Sequence, residues 1–527
     1  MSDFLEALSR VPDLLAQHLL LAFAALALGI VLSLPLAVWS ARRPGVGRVA
    51  LALASLVQTI PSLALLALFY PLLLSLSALV GGGIPALGFL PSLLALTLYA
   101  LLPILRNGVT GLMGIDPAVI EAADGVGMTP AQKLRLVEAP LVAPVLMAGI
   151  RTAAVWTIGA ATLSTTVGQP SLGDMIFAGL QTQNWALVLA GCFAAAGLAL
   201  AVDALLGVIE HGIARRRRGP VWLALAVLAG GVIAALAPLL PGTQPTVVIG
   251  AKGFSEQYIL ARVVGHRLAR AGFHVVYRDG LGSGVMFAAL KAGDIDVAVD
   301  YTGTLWTNEM RRTDNPPRDA MFAAIARWQG AQGMRTIGRL GFENAYAFAM
   351  RADRARALGL VSLDDLAARA GTLKFGADLE FLERPEWAAI RRVYPIRFAG
   401  ANAYNPTFMY RALSGGQADV ISAFSSDGRI AADRLVVLTD PRHAIPNYDA
   451  ILTVSPRMAS DQRLVEALRP LVGRIGVEAM REANYMVDRD TDKASPETAA
   501  RWLEKKVGLS GPVRLRDSAA IPVLARP

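Results

Sequence analysis

Charge and cysteine are what this sequence has least of. Only 17% of its 527 residues are charged while 54% are hydrophobic, and a soluble domain would carry about 25% charged residues. The single cysteine, Cys192, excludes an intramolecular disulfide and a thiolate-built metal site; its apolar surroundings predict a small core residue. Histidines 18, 211, 266, 274 and 443 are scattered, so structural or exposed roles are expected and no metal site or nucleophilic triad is. No P-loop lysine follows a glycine-rich turn, so this chain is not expected to hydrolyse nucleotides. An enzyme is the weakest reading.

What is present is apolar length. A chain of 527 residues exceeds one compact core, so two or more domains are expected. Up to about Leu240 it is dense in Leu and Ala; beyond a boundary near Pro241 to Pro245 it mixes charged, aromatic and β-branched residues as soluble domains do. Six stretches have roughly the ~20 apolar residues a bilayer requires. They run from about Leu19 to Trp39, Val49 to Leu74, Leu90 to Met113, Leu141 to Leu163, Trp185 to Val208 and Val221 to Leu240. Asp3, Glu6 and Asp13 against Arg10 give no basic leader before the first, which is expected to remain in place as a span.

The net charge of +9 does not argue for a nucleic-acid partner, because much of the excess lies in short loops beside spans: Arg42, Arg43 and Arg48, and the run Arg215 to Arg218. Gly81 to Gly83 and the segment around Asp174 carry no such excess. If the arginine loops face the cytoplasm, the N-terminus and the C-terminal domain lie outside. Arg106, Asn107 and Arg151 are polar groups in or near spans, expected to snorkel or to pair.

Between the third and fourth spans lies a polar island, Asp116 to Pro140. Asp116 can cap a helix that Pro117 begins, and Gly125 and Gly127 can end it. Thr129 and Pro130 repeat the start, and Pro140 is expected to stop the second helix. Its Glu121, Ala122, Ala123, then Gly127 and Pro140, resembles the coupling loop of ATP-binding-cassette importer permeases. Ala139 departs from that pattern, which has leucine there. The resemblance implies a type I permease fold and docking on a separate cytoplasmic ATPase, which would bind the ATP and magnesium; no cofactor is expected in this chain. QTIPSLALLAL (58 to 68) and YALLPILRNGVTGL (99 to 112) resemble osmoprotectant permeases. Residues 1–215 would then be the five-span permease and 216–245 an extra anchor and linker. Small residues from Gly149 to Ala161 suit a permease that dimerises.

From Thr246 the pattern changes. TVVIGAK reads as a buried strand, Phe254 to Ala271 as a helix, His274 to Tyr277 as a strand, Val285 to Ala292 as a helix and Ile295 to Tyr301 as a strand, which predicts a parallel α/β sheet. The glycine turn at 280, 282 and 284 falls one position short of a dinucleotide motif; an anion at the helix start, a carboxylate ahead of a phosphate, or simply a tight turn, remains. KGFSEQYIL, GLGSG, DYTGT, ENAYAFAM, FLERP, SAFSSDGRI and IPNYDA, in that order, resemble the solute-binding proteins of quaternary-amine osmoprotectant importers. That implies a class II two-lobed α/β fold, with lobe I at 246–342 and 444–527 and lobe II at 343–443.

A trimethylammonium group donates no hydrogen bond and carries a diffuse charge, so aromatic faces hold it best. The resemblance puts the cage at Tyr301, Tyr346, Phe424 and Tyr448, with the Asn344 carbonyl beside it; Phe424 stands where the family has tyrosine. It puts the ligand carboxylate on Arg384, with Lys252, Thr304 and Ser283 as further donors. Core packing is the alternative for any one ring; the set carries the case. The expected function is ATP-driven import of a glycine-betaine-like solute by a homodimer, working with its ATPase in a bacterial cytoplasmic membrane. Ergothioneine or another trimethylammonium amino-acid derivative is the alternative ligand, and a ligand-gated channel or sensor the rival class.

Overall fold

The structure, a computed structural model, describes residues 4, 7–8, 11–81, 83–181, 184–236, 245–489 and 491–511. Outside them lie Asp3, Glu6, Arg10, Gly82, the expected end of the sixth span and residues 241–244 of the expected domain boundary. The chain divides into a helical unit up to Pro241 and a unit from Gly242 onward.

Among the described residues, six helical stretches are long and apolar enough to cross a membrane: Val11–Arg42, Ser62–Leu79, Phe89–Met113, Pro130–Val167, Trp185–Ala214 and Arg218–Leu236. The second starts later than hydropathy predicts. Pro61 offers no amide hydrogen and biases Ile60 to an extended conformation (φ −74°, ψ 126°), so helix Pro44–Thr59 ends and a new one begins at Ser62.

Small residues set how closely these helices approach. A Cβ on Gly149 would come within 2.7 Å of the Pro103 carbonyl oxygen, so only glycine lets helix Ala139–Ala161 lie this close to Phe89–Met113. Arg151 on the former is paired: it donates to Asp203 at 2.9 Å and to Glu210 at 2.7 Å, both on Trp185–Ala214. Cys192 is exposed on that helix, contrary to the core position expected of it. A membrane protein's outer face is itself apolar, so hydrophobic surroundings in sequence do not imply burial.

The second unit holds two five-stranded sheets. The first is built from β1 (Thr246–Lys252), β2 (His274–Leu281), β3 (Val297–Tyr301), β4 (Arg335–Glu343) and, from far along the chain, β10 (Asp449–Val454). The second comprises β5 (Tyr346–Arg351), β6 (Lys374–Asp378), β7 (Gly400–Tyr404), β8 (Val420–Phe424) and β9 (Leu435–Val437). Their orders are β2-β1-β3-β10-β4 and β7-β6-β8-β5-β9. Neither sheet is purely parallel, which corrects the expectation from the alternating pattern. β10 runs antiparallel to β3 and β4, and β5 antiparallel to β8 and β9. Each is the strand on which the chain arrives from the other sheet, so it enters from the opposite end. The chain crosses at Glu343–Tyr346 and again between Val437 and Asp449, which leaves a cleft with both sheets' strand ends on its walls.

Candidate functional site

Tyr301 ends β3, Tyr346 begins β5, Phe424 ends β8 and Tyr448 immediately precedes β10. Strand ends at the cleft carry all four expected rings, and the rings come together. Tyr346 lies 5.2 Å from Phe424 and 5.9 Å from Tyr448 between centroids, the latter at an interplanar angle of 89°. Tyr301 joins through a ring not singled out from sequence: Phe254 stacks on Tyr301 at 6.4 Å and on Phe424 at 6.1 Å. Phe254 sits inside the quoted stretch KGFSEQYIL, but nothing in its spacing marks it as a cage member. Burial pushes the hydroxyls of Tyr301, Tyr346 and Tyr448 well above the ordinary phenol range, so these rings are neutral donors.

Behind the rings is a buried acceptor cluster that sequence reading missed. Glu256 is 2% exposed and its carboxylate accepts from the Tyr301 hydroxyl at 2.5 Å, Asn344 Nδ2 at 3.0 Å and Asn484 Nδ2 at 2.9 Å. Burial raises its pKa, against hydrogen bonds from Ser426, Tyr301, Asn484 and Asn344 that lower it. The expected acceptor Asn344 Oδ1 is buried without a hydrogen-bond partner, and so is Asn484 Oδ1. Both residues, with Phe254, Glu256 and Phe424, line a cavity of about 30 Å³.

The expected carboxylate donors separate into two groups. Arg384, Thr304 and Ser283 come together: the guanidinium reaches Thr304 Oγ1 at 3.5 Å and Ser283 Oγ at 3.4 Å, and lies 5.3 Å from the Tyr346 ring centroid. Lys252 is committed elsewhere, its Nζ 2.6 Å from Asp300 and both side chains buried. Arg384 also has carboxylate partners, Glu380 at 2.6 Å and Glu386 at 3.1 Å, and Tyr448 donates to Glu386 at 2.5 Å. Glu386 follows Arg384 by two positions, a proximity legible in sequence whose consequence is not.

The helical unit carries the other expected site. Asp116 accepts from the Ala118 amide at 2.9 Å and caps helix Pro117–Gly125. Gly127 turns the chain at φ +76°, a conformation that disfavours side chains, and Thr129 with Gln132 forms a capping box. Lys133 closes the hairpin onto Asp124 at 2.7 Å. Ala123 is buried; Glu121, Ala122 and Gly127 are exposed. Pro140 does not stop the second helix. A π-turn at Leu134–Glu138 widens the spiral just ahead of Pro140, so the helix passes the missing amide hydrogen and continues into Ala139–Ala161. The hairpin therefore runs without a break into a span. Arg42, ending the first span, holds Glu138 at 3.2 Å.

Residues 29–215 match the family described as the binding-protein-dependent transport system inner membrane component, and residues 245–505 the substrate binding domain of the ABC-type glycine betaine transport system. The chain is 29% identical over 477 residues to an ergothioneine transport permease/ergothioneine binding protein of Helicobacter pylori, covering 87% of this chain and 83% of that one. It is 40% identical over 196 residues to a choline transport system permease protein of Bacillus subtilis, covering 37% of this chain and 84% of the relative. A solved glycine betaine/carnitine/choline ABC transporter structure aligns with 50% of this chain and 99% of its own at 25% identity, with a TM-score of 0.43.

Proposed function

The chain belongs to the osmoprotectant-uptake family of ATP-binding-cassette importers, as a permease fused to its substrate-binding domain, and we propose that it imports a quaternary-ammonium solute resembling glycine betaine. The observation that carries the ligand class is the ring cluster: Tyr301, Phe254, Phe424, Tyr346 and Tyr448 follow one another along one cleft, each ring within about stacking distance of the next. Arg384, Thr304 and Ser283 would take the ligand's carboxylate, with Lys252 acting on it only at longer range. The Asn344 carbonyl would face the cation.

In this reading residues 1–215 form the pore-lining half of a homodimer, 216–245 anchor and tether, and 246–527 capture solute on the outer face. Lobe I would comprise 246–342 and 444–527, and lobe II 343–443. The hairpin with Glu121, Ala122, Ala123, Gly127 and Pro140 would dock on a separate ATPase that binds ATP and magnesium. Exposed apolar side chains at Val126 and Leu136 support such docking, since they otherwise lie open on a polar hairpin.

A second reading of the ligand, ergothioneine, rests on its own observation. The unpartnered oxygens of Asn344 and Asn484, with Glu256 between them, suit a ligand that carries N–H donors beyond its trimethylammonium group. Betaine has none. The full-length chain in lipid nanodiscs, titrated with glycine betaine, choline, carnitine and ergothioneine, is expected to bind at least one quaternary amine at micromolar concentration. Binding should drop by about tenfold or more in Tyr346→Ala. No binding of any of them, or an unaffected Tyr346→Ala, would overturn the assignment; ergothioneine binding far tighter than betaine would select the second reading.

A further inference from the structure

The guanidinium of Arg384 is already occupied. Glu380 Oε2 lies 2.6 Å from its Nη2 and Glu386 Oε1 3.1 Å from its Nη1. The Glu380 carboxylate also reaches across the cleft, because β6 and the turn after it belong to the second sheet while Ser283 follows β2 of the first. There it accepts from the Ser283 amide at 3.5 Å and from Ser283 Oγ at 3.3 Å. Ser283 opens helix Ser283–Ala292, so a guanidinium, a hydroxyl and a helix-end amide converge on one carboxylate. These are the donors the proposed ligand carboxylate would require, and the protein's own side chain holds them.

The two acidic partners of Arg384 are not equivalent. Glu386 is 2% exposed and bound by Tyr448, so leaving would strand a buried charge. The Glu380 side chain is 48% exposed and can turn into water. Burial raises its pKa, but the adjacent Arg384 outweighs that and holds it below the usual carboxylate range, so it is an anion while it sits there. Lys252 offers no spare charge, since Asp300 neutralises it. A third carboxylate entering beside Glu380 and Glu386 would face two negative charges and one guanidinium, and is excluded unless Glu380 moves.

We propose that Glu380 is an internal occupant of the ligand-carboxylate site: it latches the empty cleft shut and must swing out for a zwitterionic ligand but not for a purely cationic one. The choice between betaine-like and choline-like ligands then depends on this residue; that part rests on the quaternary-amine reading, whereas the latch does not. If Glu380 fills the site nine times in ten, removing its charge raises affinity for a carboxylated ligand about tenfold.

The test uses the full-length chain in nanodiscs with Cys192→Ala as background and spin labels at Lys291→Cys and Arg392→Cys, both exposed and on opposite sides of the cleft. Without ligand, Glu380→Ala is expected to shift the label-to-label distances toward a wider population. With ligand, E380Q is expected to lower the betaine Kd about tenfold while the choline Kd stays or rises. Unchanged distances together with an unchanged betaine-to-choline ratio overturn the latch and leave the ligand class standing. A native chain that binds no quaternary amine, alongside a Glu380→Ala cleft that opens, overturns the ligand class and leaves the latch standing. A native melting temperature in E380Q separates either result from misfolding.

Discussion

Gly303, in the turn after β3, lies against the face of Tyr448: a Cβ there would be 2.5 Å from the ring. That ring has nowhere to go, being buried, edge-on to Tyr346 and hydrogen-bonded to Glu386. Gly303→Ala should therefore push Tyr448 out of the cluster and weaken ligand binding on the order of tenfold, as overpacking of about 1–3 kcal/mol implies. Equilibrium titration of the full chain checks it, and an unaltered Kd would remove Tyr448 from the site. Phe424 raises a related point. It keeps the aromatic face and gives up the hydroxyl, so in the proposed cage it would contribute to holding a cation without adding an acceptor to a cleft that already has several.

The hairpin Pro117–Lys133 and the helix that follows form a lever, because the π-turn joins them where a break was expected at Pro140. Its angle depends on Gly127, whose φ of +76° a β-branched residue strongly resists. A side chain at 127 would meet nothing within 4 Å, so the effect of Gly127→Val falls on turn geometry and not on packing. Solute uptake by proteoliposomes containing the partner ATPase should fall at least tenfold, while ligand binding to the same variant remains native. Uptake that persists without a functional hairpin would favour the channel reading. Arg42 and Glu138 brace the same lever against the first span, a contact 96 positions apart that no local pattern announces.

The binding unit is closed by a contact between its beginning and its end. His266 on helix Ser255–Arg270 meets Glu497 at 2.8 Å and Glu504 at 3.4 Å on helix Pro496–Lys506. Hydrogen bonds to these two carboxylates raise the imidazole from an ordinary 6.5 to about 9. A raised folded-state value means the pair's stabilisation is complete below pH 6.5, declines above it and is gone beyond about pH 9. Its size is on the order of 2–3 kcal/mol. The partner Glu497, held at about 2 chiefly by its hydrogen bond from His266, loses the same contact only as pH falls from its usual 4.5 toward that value. The melting temperature of the binding unit within the full chain should thus decline between pH 6.5 and 9.5, and His266→Ala should flatten that slope. A slope identical in both would show that the pair does not couple the two helices.

Spans, loop charges and turn chemistry were legible because each depends on neighbours along the chain: a bilayer reads length, a cap reads the next three residues, and a proline acts on the residue beside it. The expected aromatic positions were legible only through motif resemblance, and the structure brings those rings to one cleft. The contacts made around those rings were not. Phe254 becomes a bridge, Glu256 an acceptor and Glu380 a partner of Ser283 only when two sheets, linked by a double crossover, bring strand ends face to face. Linear order can state that an arginine is available to a carboxylate. That its near neighbours Glu380 and Glu386 turn onto it, and that Thr304 and Ser283 meet it from 80 and 101 positions away, is decided by the fold, since Coulomb energy follows distance in space and not separation in sequence.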